Sequence, residues 1–218
     1  MTLALLRVTP MDEATEERQG APLHPELDPA TLAACRVGQA GAIRAFVLHY
    51  ETLVFAFLSR SLGRGPHVED LAQEVFLRAC RALPDFDEHG TARLSTWLLT
   101  IARRLTIDAH RKRQIPTTSL DTEERDAIAQ VGAGVTPETE RERALLGRAL
   151  ENAAAELPAE QREAFLLAEI HGLDMSELAQ VQGVAESTAR TRLFRARTKL
   201  RELLQGVWDA FERDGSGR

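Results

Sequence analysis

The stretch that decides the fold runs Leu173-Asp-Met-Ser-Glu-Leu-Ala-Gln-Val-Gln-Gly-Val-Ala-Glu-Ser-Thr-Ala-Arg-Thr-Arg-Leu-Phe-Arg-Ala-Arg-Thr-Lys-Leu-Arg-Glu-Leu-Leu204. Asp174 and Glu177 have the spacing of a capping box, in which two side chains satisfy each other's orphan backbone N–H groups at a helix start. The short helix begun there buries Leu178 and Val181. It stops at Gly183, a residue type that enters a left-handed turn without steric cost. Beyond it, Ala189, Leu193, Ala196, Leu200 and Leu203 follow at steps of four, three, four and three, an inward stripe on a second helix. Short helix, glycine turn and longer helix together make a helix-turn-helix.

The opposite face of that second helix presents Ser187, Arg190, Thr191, Phe194, Arg195 and Thr198. Arginine reaches guanine O6 and N7 in bidentate fashion, and Thr or Phe touches a thymine methyl. Arg197, Lys199 and Arg201 fall where they would neutralise phosphate, with an affinity that drops steeply as salt rises. A run of bases is ordinarily a solvated face. Phe194 tips the balance toward DNA, because an aromatic off the buried stripe is costly to leave in water without a partner. Ala185, where Ser, Asp or Asn would cap better, weakens the helix start by about 1 kcal/mol.

Whole-chain charge argues the other way, at −6 with a pI near 5.6, until it is resolved by position. Residues 1–28 hold six acids and two bases, and residues 119–140 hold six acids and one base. Residues 100–113 carry five bases against Asp108 alone, and residues 186–201 carry six against Glu186 alone. Local sign decides which surface meets a phosphate backbone, so two segments remain fit for nucleic acid.

Toward the N-terminus, apolar residues recur at three- and four-residue steps from about Pro29 to Leu62, with a break suggested by Gly38 and Gly41. Residues 67–83 form a further helix with Val68, Leu71, Ala72, Val75, Ala79 and Ala82 on one stripe. Leu94 to about Arg113 forms another, for which Ser95 or Thr96 is the expected cap. Residues 138–156, 159–170, 175–182 and 186–204 supply the C-terminal helices. Gln114 to Pro137, with two prolines, two glycines and most of the acidic excess, reads as an inter-domain linker. The expected organisation is an acidic extension over 1–28, a helical domain over 29–113, a linker over 114–137, a helix-turn-helix domain over 138–204 and a tail over 205–218, frayed beyond Phe211. The fold class is all-α, two small helical domains joined by a flexible linker.

A 218-residue chain holds one large or two small domains, each able to bury a core. No run approaches the ~18 apolar residues of a membrane span. The patch Met1 to Leu6 has no basic region before it and acids soon after, so no signal peptide is expected. Cys35 and Cys80 are too few for a disulfide framework and lack metal-ligand spacing, which points to a reduced, cytoplasmic chain.

Three further segments carry a family resemblance. They are Val68-Glu-Asp-Leu-Ala-Gln-Glu-Val-Phe-Leu-Arg-Ala-Cys-Arg-Ala-Leu83, Ser95-Thr-Trp-Leu-Leu-Thr-Ile-Ala-Arg-Arg-Leu-Thr-Ile-Asp108 and Leu157-Pro-Ala-Glu-Gln-Arg-Glu-Ala-Phe-Leu-Leu167. With the helix-turn-helix, in this order, the chain from about residue 29 to 204 resembles a bacterial RNA polymerase sigma factor of the extracytoplasmic-function group, sigma-70 family. The resemblance implies an alternative sigma factor that directs core polymerase to −35 and −10 promoter elements and begins DNA melting. Its partners would be the β′ clamp helices and β flap of core RNA polymerase, promoter DNA and an anti-sigma factor, with no membrane insertion and no cofactor or metal. It would be cytoplasmic, and nucleoid-associated when active.

By the same resemblance Asp70, Gln73 and Glu74 make the polar contacts to polymerase, with Phe76 and Cys80 adding apolar area. Cys80, where many relatives carry an aromatic, is read as a small buried hydrophobe and not as a redox switch. The −10 element falls to the helix from Leu94 and the loop Asp85–Thr91, with Arg93, Arg103, Arg104, Arg111, Lys112 and Arg113 on phosphate. Trp97 would be a stacking platform, although a lone Trp in a helical stripe is more often core. Relatives often place Asn where Arg104 stands, which implies an altered −10 base preference. The −35 element falls to Ser187, Arg190, Thr191, Phe194, Arg195, Arg197 and Lys199.

Two other function classes compete with this reading. A free-standing helix-turn-helix regulator would need a dimer interface or effector pocket in place of the 68–83 docking helix. An enzyme is disfavoured: His24, His49, His67, His89, His110 and His171 are scattered, and there is no phosphate loop, nucleophile elbow or paired-carboxylate site, so no catalytic residue is expected.

Overall fold

The computed structural model describes residues 24–63, 65–87, 90, 92–114, 147–150 and 152–215. The expected acidic extension up to residue 23 and nearly all of the linker lie outside these, as do Glu88, His89 and Thr91 of the −10 loop. So do the side chains of Lys112, Arg113, Trp208 and Phe211. Among the described residues every regular element is helical. In chain order they are α1 (Pro29–Arg36), α2 (Ala40–Leu62), α3 (Pro66–Ala82), a 3₁₀ turn (Leu83–Asp85), α4 (Leu94–Gln114), α5 (Ala159–Phe165) running into a π turn (Leu166–Ile170), α6 (Met175–Gln182) and α7 (Glu186–Gly215). Residues 147–150 and 152–155 are also helical.

Local chemistry explains most boundaries. Asp28 caps α1, its carboxylate accepting from the Thr31 N–H at 2.9 Å, and Pro29 fills the first position, where an N–H would be orphaned anyway. Gly38, at φ 75°, makes the expected break before α2, whereas Gly41 lies within that helix. The expected cap of α4 is corrected. Ser95 and Thr96 lie inside the helix, and the cap comes from Glu26, 68 residues upstream. Its carboxylate accepts from the Leu94 N–H at 3.1 Å, the Ser95 N–H at 3.4 Å and the Ser95 hydroxyl. An anion is the natural occupant of a helix N-terminus. The buried Tyr50 hydroxyl donates to the same carboxylate at 3.1 Å and accepts from the Leu27 N–H, fixing the segment before α1 across α2.

On length and composition α2 is long and apolar enough to cross a membrane, which corrects the expectation that no such run exists. One side of it faces protein, where Phe46, Tyr50, Leu53, Val54, Phe57 and Leu58 are buried and the helix packs on α1, α3 and α4, while Leu48 and Phe55 are exposed. Phe46 stands edge-on to Tyr50 and to Phe76, with ring centroids 5.4 and 5.9 Å apart.

This core does not end with α4. It runs on through Ala164, Leu167, Leu173, Leu178, Val181, Ala189 and Leu193, so α6 packs directly on α4. A second cluster of Ala153, Ala154, Leu157, Phe165, Ala196, Leu200 and Leu204 closes the far side of the helix-turn-helix. The stripe on α7 therefore ends at Leu204, while Leu203 is exposed. After two turns the 3.6-residue period favours the four-residue step from Leu200. The helix itself continues to Gly215, past the expected fraying point.

Candidate nucleic-acid interface

The helix-turn-helix forms as its spacing predicts. The Glu177 N–H donates to Asp174 Oδ1 at 2.9 Å, and the Asp174 N–H donates to Glu177 Oε2 at 3.0 Å. Gly183 takes the left-handed conformation at φ 63°, ψ 39°. On α7, Ser187, Arg190, Thr191, Phe194 and Arg195 are exposed together, with Phe194 51% exposed. An open cleft of about 320 Å³ lies between this face and Gln161 of α5, lined by Ser187, Thr188, Thr191, Arg192 and Arg195. Arg192 is half-buried and donates to Gln182 Oε1 at 3.2 Å. Arg197, expected on phosphate, is half-buried and held by Glu169, its Nε at 2.8 Å and its Nη2 making a second bond. Lys199 is exposed, 3.3 Å from Glu202.

The α4 face differs from expectation. Arg93 lies against Glu177, with Nε on Oε1 and Nη2 on Oε2, a bidentate pair between residues 84 positions apart. The Thr96 hydroxyl donates to the same Oε1 at 2.8 Å. Arg103 Nε donates to Glu163 Oε1 at 2.8 Å, and Gln182 Nε2 donates to Glu163 Oε2 at 2.9 Å. Glu177 is only 5% exposed. Burial pushes its carboxyl up, but Arg93, the Asp174 N–H and the Thr96 hydroxyl outweigh that and hold it below the usual carboxylate range. Arg104 and Arg111 are exposed. Trp97 is half-buried with its ring 5.1 Å from that of Phe86, against the core.

On α3, Asp70 and Gln73 are exposed, and Glu74 pairs with Arg78 one turn on at 2.6 Å. Phe76 is 8% exposed beneath Phe46, so it serves the core; Leu77, 51% exposed, supplies the apolar area on the outer face. Cys80 is half-buried on the core, and burial pushes its thiol up, away from the reactive thiolate.

Sequence reasoning did not single out Glu163 or Glu26, and it saw Glu177 only as a local cap. A carboxylate partner 60 or more residues away leaves no periodic signal.

Comparisons with known proteins now have a geometry to fit. The family model for sigma-70 region 2 matches residues 46–115, and that for sigma-70 region 4 matches residues 147–200. The chain is 32% identical to the ECF RNA polymerase sigma factor SigW of Bacillus subtilis (strain 168), over 78% of this chain and 92% of that one. It is 34% identical to the ECF RNA polymerase sigma factor SigC of Mycobacterium tuberculosis (strain CDC 1551 / Oshkosh), over 75% and 83%. Among solved structures, the sigma factor RpoE from Bartonella quintana, in complex with the anti-sigma factor NepR, superposes with TM-score 0.56 at 25% identity, over 74% of this chain and 96% of that one. Two helical units in the family's order, carrying a helix-turn-helix with an outward cationic face, and relatives matched along nearly their whole length lead to one conclusion: the chain belongs to the extracytoplasmic-function sigma factors of the sigma-70 family.

Proposed function

We propose that this sigma factor docks on core polymerase through Asp70, Gln73, Glu74 and Leu77 of α3. It reads the −35 element with Ser187, Arg190, Thr191, Phe194 and Arg195 of α7, and holds the melted −10 strand along α4 with Arg93, Arg103, Arg104 and Arg111. Lys112 and Arg113 extend that last track. The observation that carries the reading is the α7 face: two exposed arginines bracket an exposed phenylalanine on the outer side of a helix whose inner side is fully buried. Such a face suits a major groove, where arginine meets guanine and the ring meets a thymine methyl. Arg197 and Lys199 are then reserve phosphate contacts, available once Glu169 and Glu202 release them. The chain performs no catalysis of its own, works in the cytoplasm at the nucleoid and is restrained by an anti-sigma factor, as the relative from Bartonella quintana is bound by one.

Transcription in vitro with bacterial core polymerase and a randomised promoter library tests the reading. Specific start sites that depend on adding the chain support it, and the enriched sequences report both elements. Tight duplex binding by the chain alone, with no association with core polymerase, would instead identify a free-standing regulator.

A further inference from the structure

We propose that the outer face of α2 is the docking site for the apolar segment 1–8 of the same chain. The face is a stripe of Gly41, Ala45, Leu48, Thr52 and Phe55, spaced at steps of four, three, four and three, and all exposed. Leu48 is 56% exposed and Phe55 37%. Only 33% of the most apolar 18-residue stretch of α2 is buried, so the helix carries more apolar surface than α1, α3 and α4 use. A Cβ added at Gly41 would meet nothing within 4 Å, which leaves that end of the stripe open as well. Single exposed apolar residues are ordinary, whereas a row along about four helical turns marks an interaction surface.

The path of the chain selects the occupant. His49 Nε2 donates to the Pro25 carbonyl at 2.7 Å, which fixes the incoming strand beside the residue that follows Leu48, at the middle of the stripe. The next residue, Glu26, is held by the Tyr50 hydroxyl and caps α4. Upstream, Leu3, Leu5, Leu6 and Val8 place four large apolar side chains within six residues, and neither polymerase docking nor promoter reading employs them. Residues 9–23 separate Val8 from His24, a length that spans up to about 50 Å, while Leu48 and Phe55 are about 10 Å apart along the helix. Such a tether supplies an effective concentration on the order of mM, enough for a small apolar contact. The stripe is about 20 Å long and 10 Å wide, about 200 Å², against the ~800 Å² per partner of a stable dimer, so a tethered segment suits it and a second copy does not. Arg44 and Glu51 flank it and are both exposed, so apolar contact decides the docking. Once docked, segment 1–8 anchors the strand that caps α4 from its upstream side.

Photo-cross-linking of the full chain at micromolar concentration tests this. Phe55→p-benzoylphenylalanine puts the reactive group on the stripe, and peptide mass spectrometry of the irradiated protein reads what lies against it. The expected product joins position 55 to residues 1–8 within a chain that still migrates as a monomer. Adding Leu5→Asp/Leu6→Asp lowers its yield at least about tenfold, the least that losing one buried leucine from a contact costs. Leu77→p-benzoylphenylalanine, on the exposed face of α3, gives no such product. Leu48→p-benzoylphenylalanine repeats the test if the variant at position 55 loses helicity by circular dichroism. Products that join two copies overturn the proposal and make the face a dimer contact. It is equally overturned by no capture of residues 1–8, by a yield indifferent to Leu5→Asp/Leu6→Asp, or by equal capture from position 77.

Discussion

His171 offers a direct test of how the core shared by α2 and the C-terminal helices is held. It follows the π turn and is 3% exposed, its ring edge-on to Phe57 of α2 at 5.9 Å and 6.2 Å from the ring of His24. Among the described residues neither ring nitrogen has a hydrogen-bond partner. Burial, then the Arg60 charge and then His24, lower its pKa to about 3 from an ordinary 6.5. The folded chain thus keeps the imidazole neutral, while the unfolded chain takes up a proton as pH falls through 6.5. Stability is lost progressively from there down toward 3. Between pH 7.5 and 5.0 the loss from this one group is about 2 kcal/mol, at 1.36 kcal/mol per unit of differential titration. Glu177, held low by its partners, begins to matter only nearer the carboxylate range, and His24, also lowered, titrates in both proteins compared below. His171→Leu keeps the apolar contact and removes the titration. Urea unfolding followed by circular dichroism should show the wild-type midpoint falling by about 1 M more than that of the variant over this interval. Equal falls in the two proteins would refute the assignment of a neutral, buried imidazole.

Three further outcomes follow from the geometry. Glu26→Ala removes the acceptor for the Leu94 and Ser95 N–H groups and for two hydroxyls. It should cost about 1–2 kcal/mol in urea unfolding, where an unchanged midpoint would mean α4 is capped by something else. Gly183→Ala meets no atom within 4 Å, so its cost is conformational only, about 1–2 kcal/mol, with Gly183→Asn milder. Arg195→Ala should weaken promoter binding by the polymerase complex; if Arg195 sits on phosphate, the loss is uniform across sequences and the salt slope falls by about one, and if on a base, discrimination at one position falls by about 1–3 kcal/mol.

What was legible in the sequence was what neighbours in the chain determine. Asp174 and Glu177 are three residues apart, Gly183 needs only its own backbone, and the stripe of Ala189, Leu193, Ala196 and Leu200 needs only helical period; all appear as read. What escaped depended on distant contacts. Ser95 and Thr96 looked like caps because Ser and Thr usually are, yet Glu26 brings a full charge to the same N–H groups and frees Thr96 to reach Glu177. Phe76 fits a docking face by sequence alone, yet it packs beneath Phe46, and Leu77 is the apolar side chain that α3 exposes. Arg93 and Arg103 read as free cations because nothing near them in sequence announces a carboxylate 84 or 60 positions on.

The π turn at Leu166–Ile170 ends α5 with one residue more in its last turn than an α-helix holds, as the bond from the His171 N–H to the Leu166 carbonyl shows. Upstream of it Glu163 faces α4; within it Glu169 faces α7. The insertion thus acts as an index shift that points two acids from one short rod toward two different cationic surfaces. Deleting any single residue within it would restore regular winding and swing one acid away from its arginine, so the segment should tolerate changes of side chain far better than a change of length.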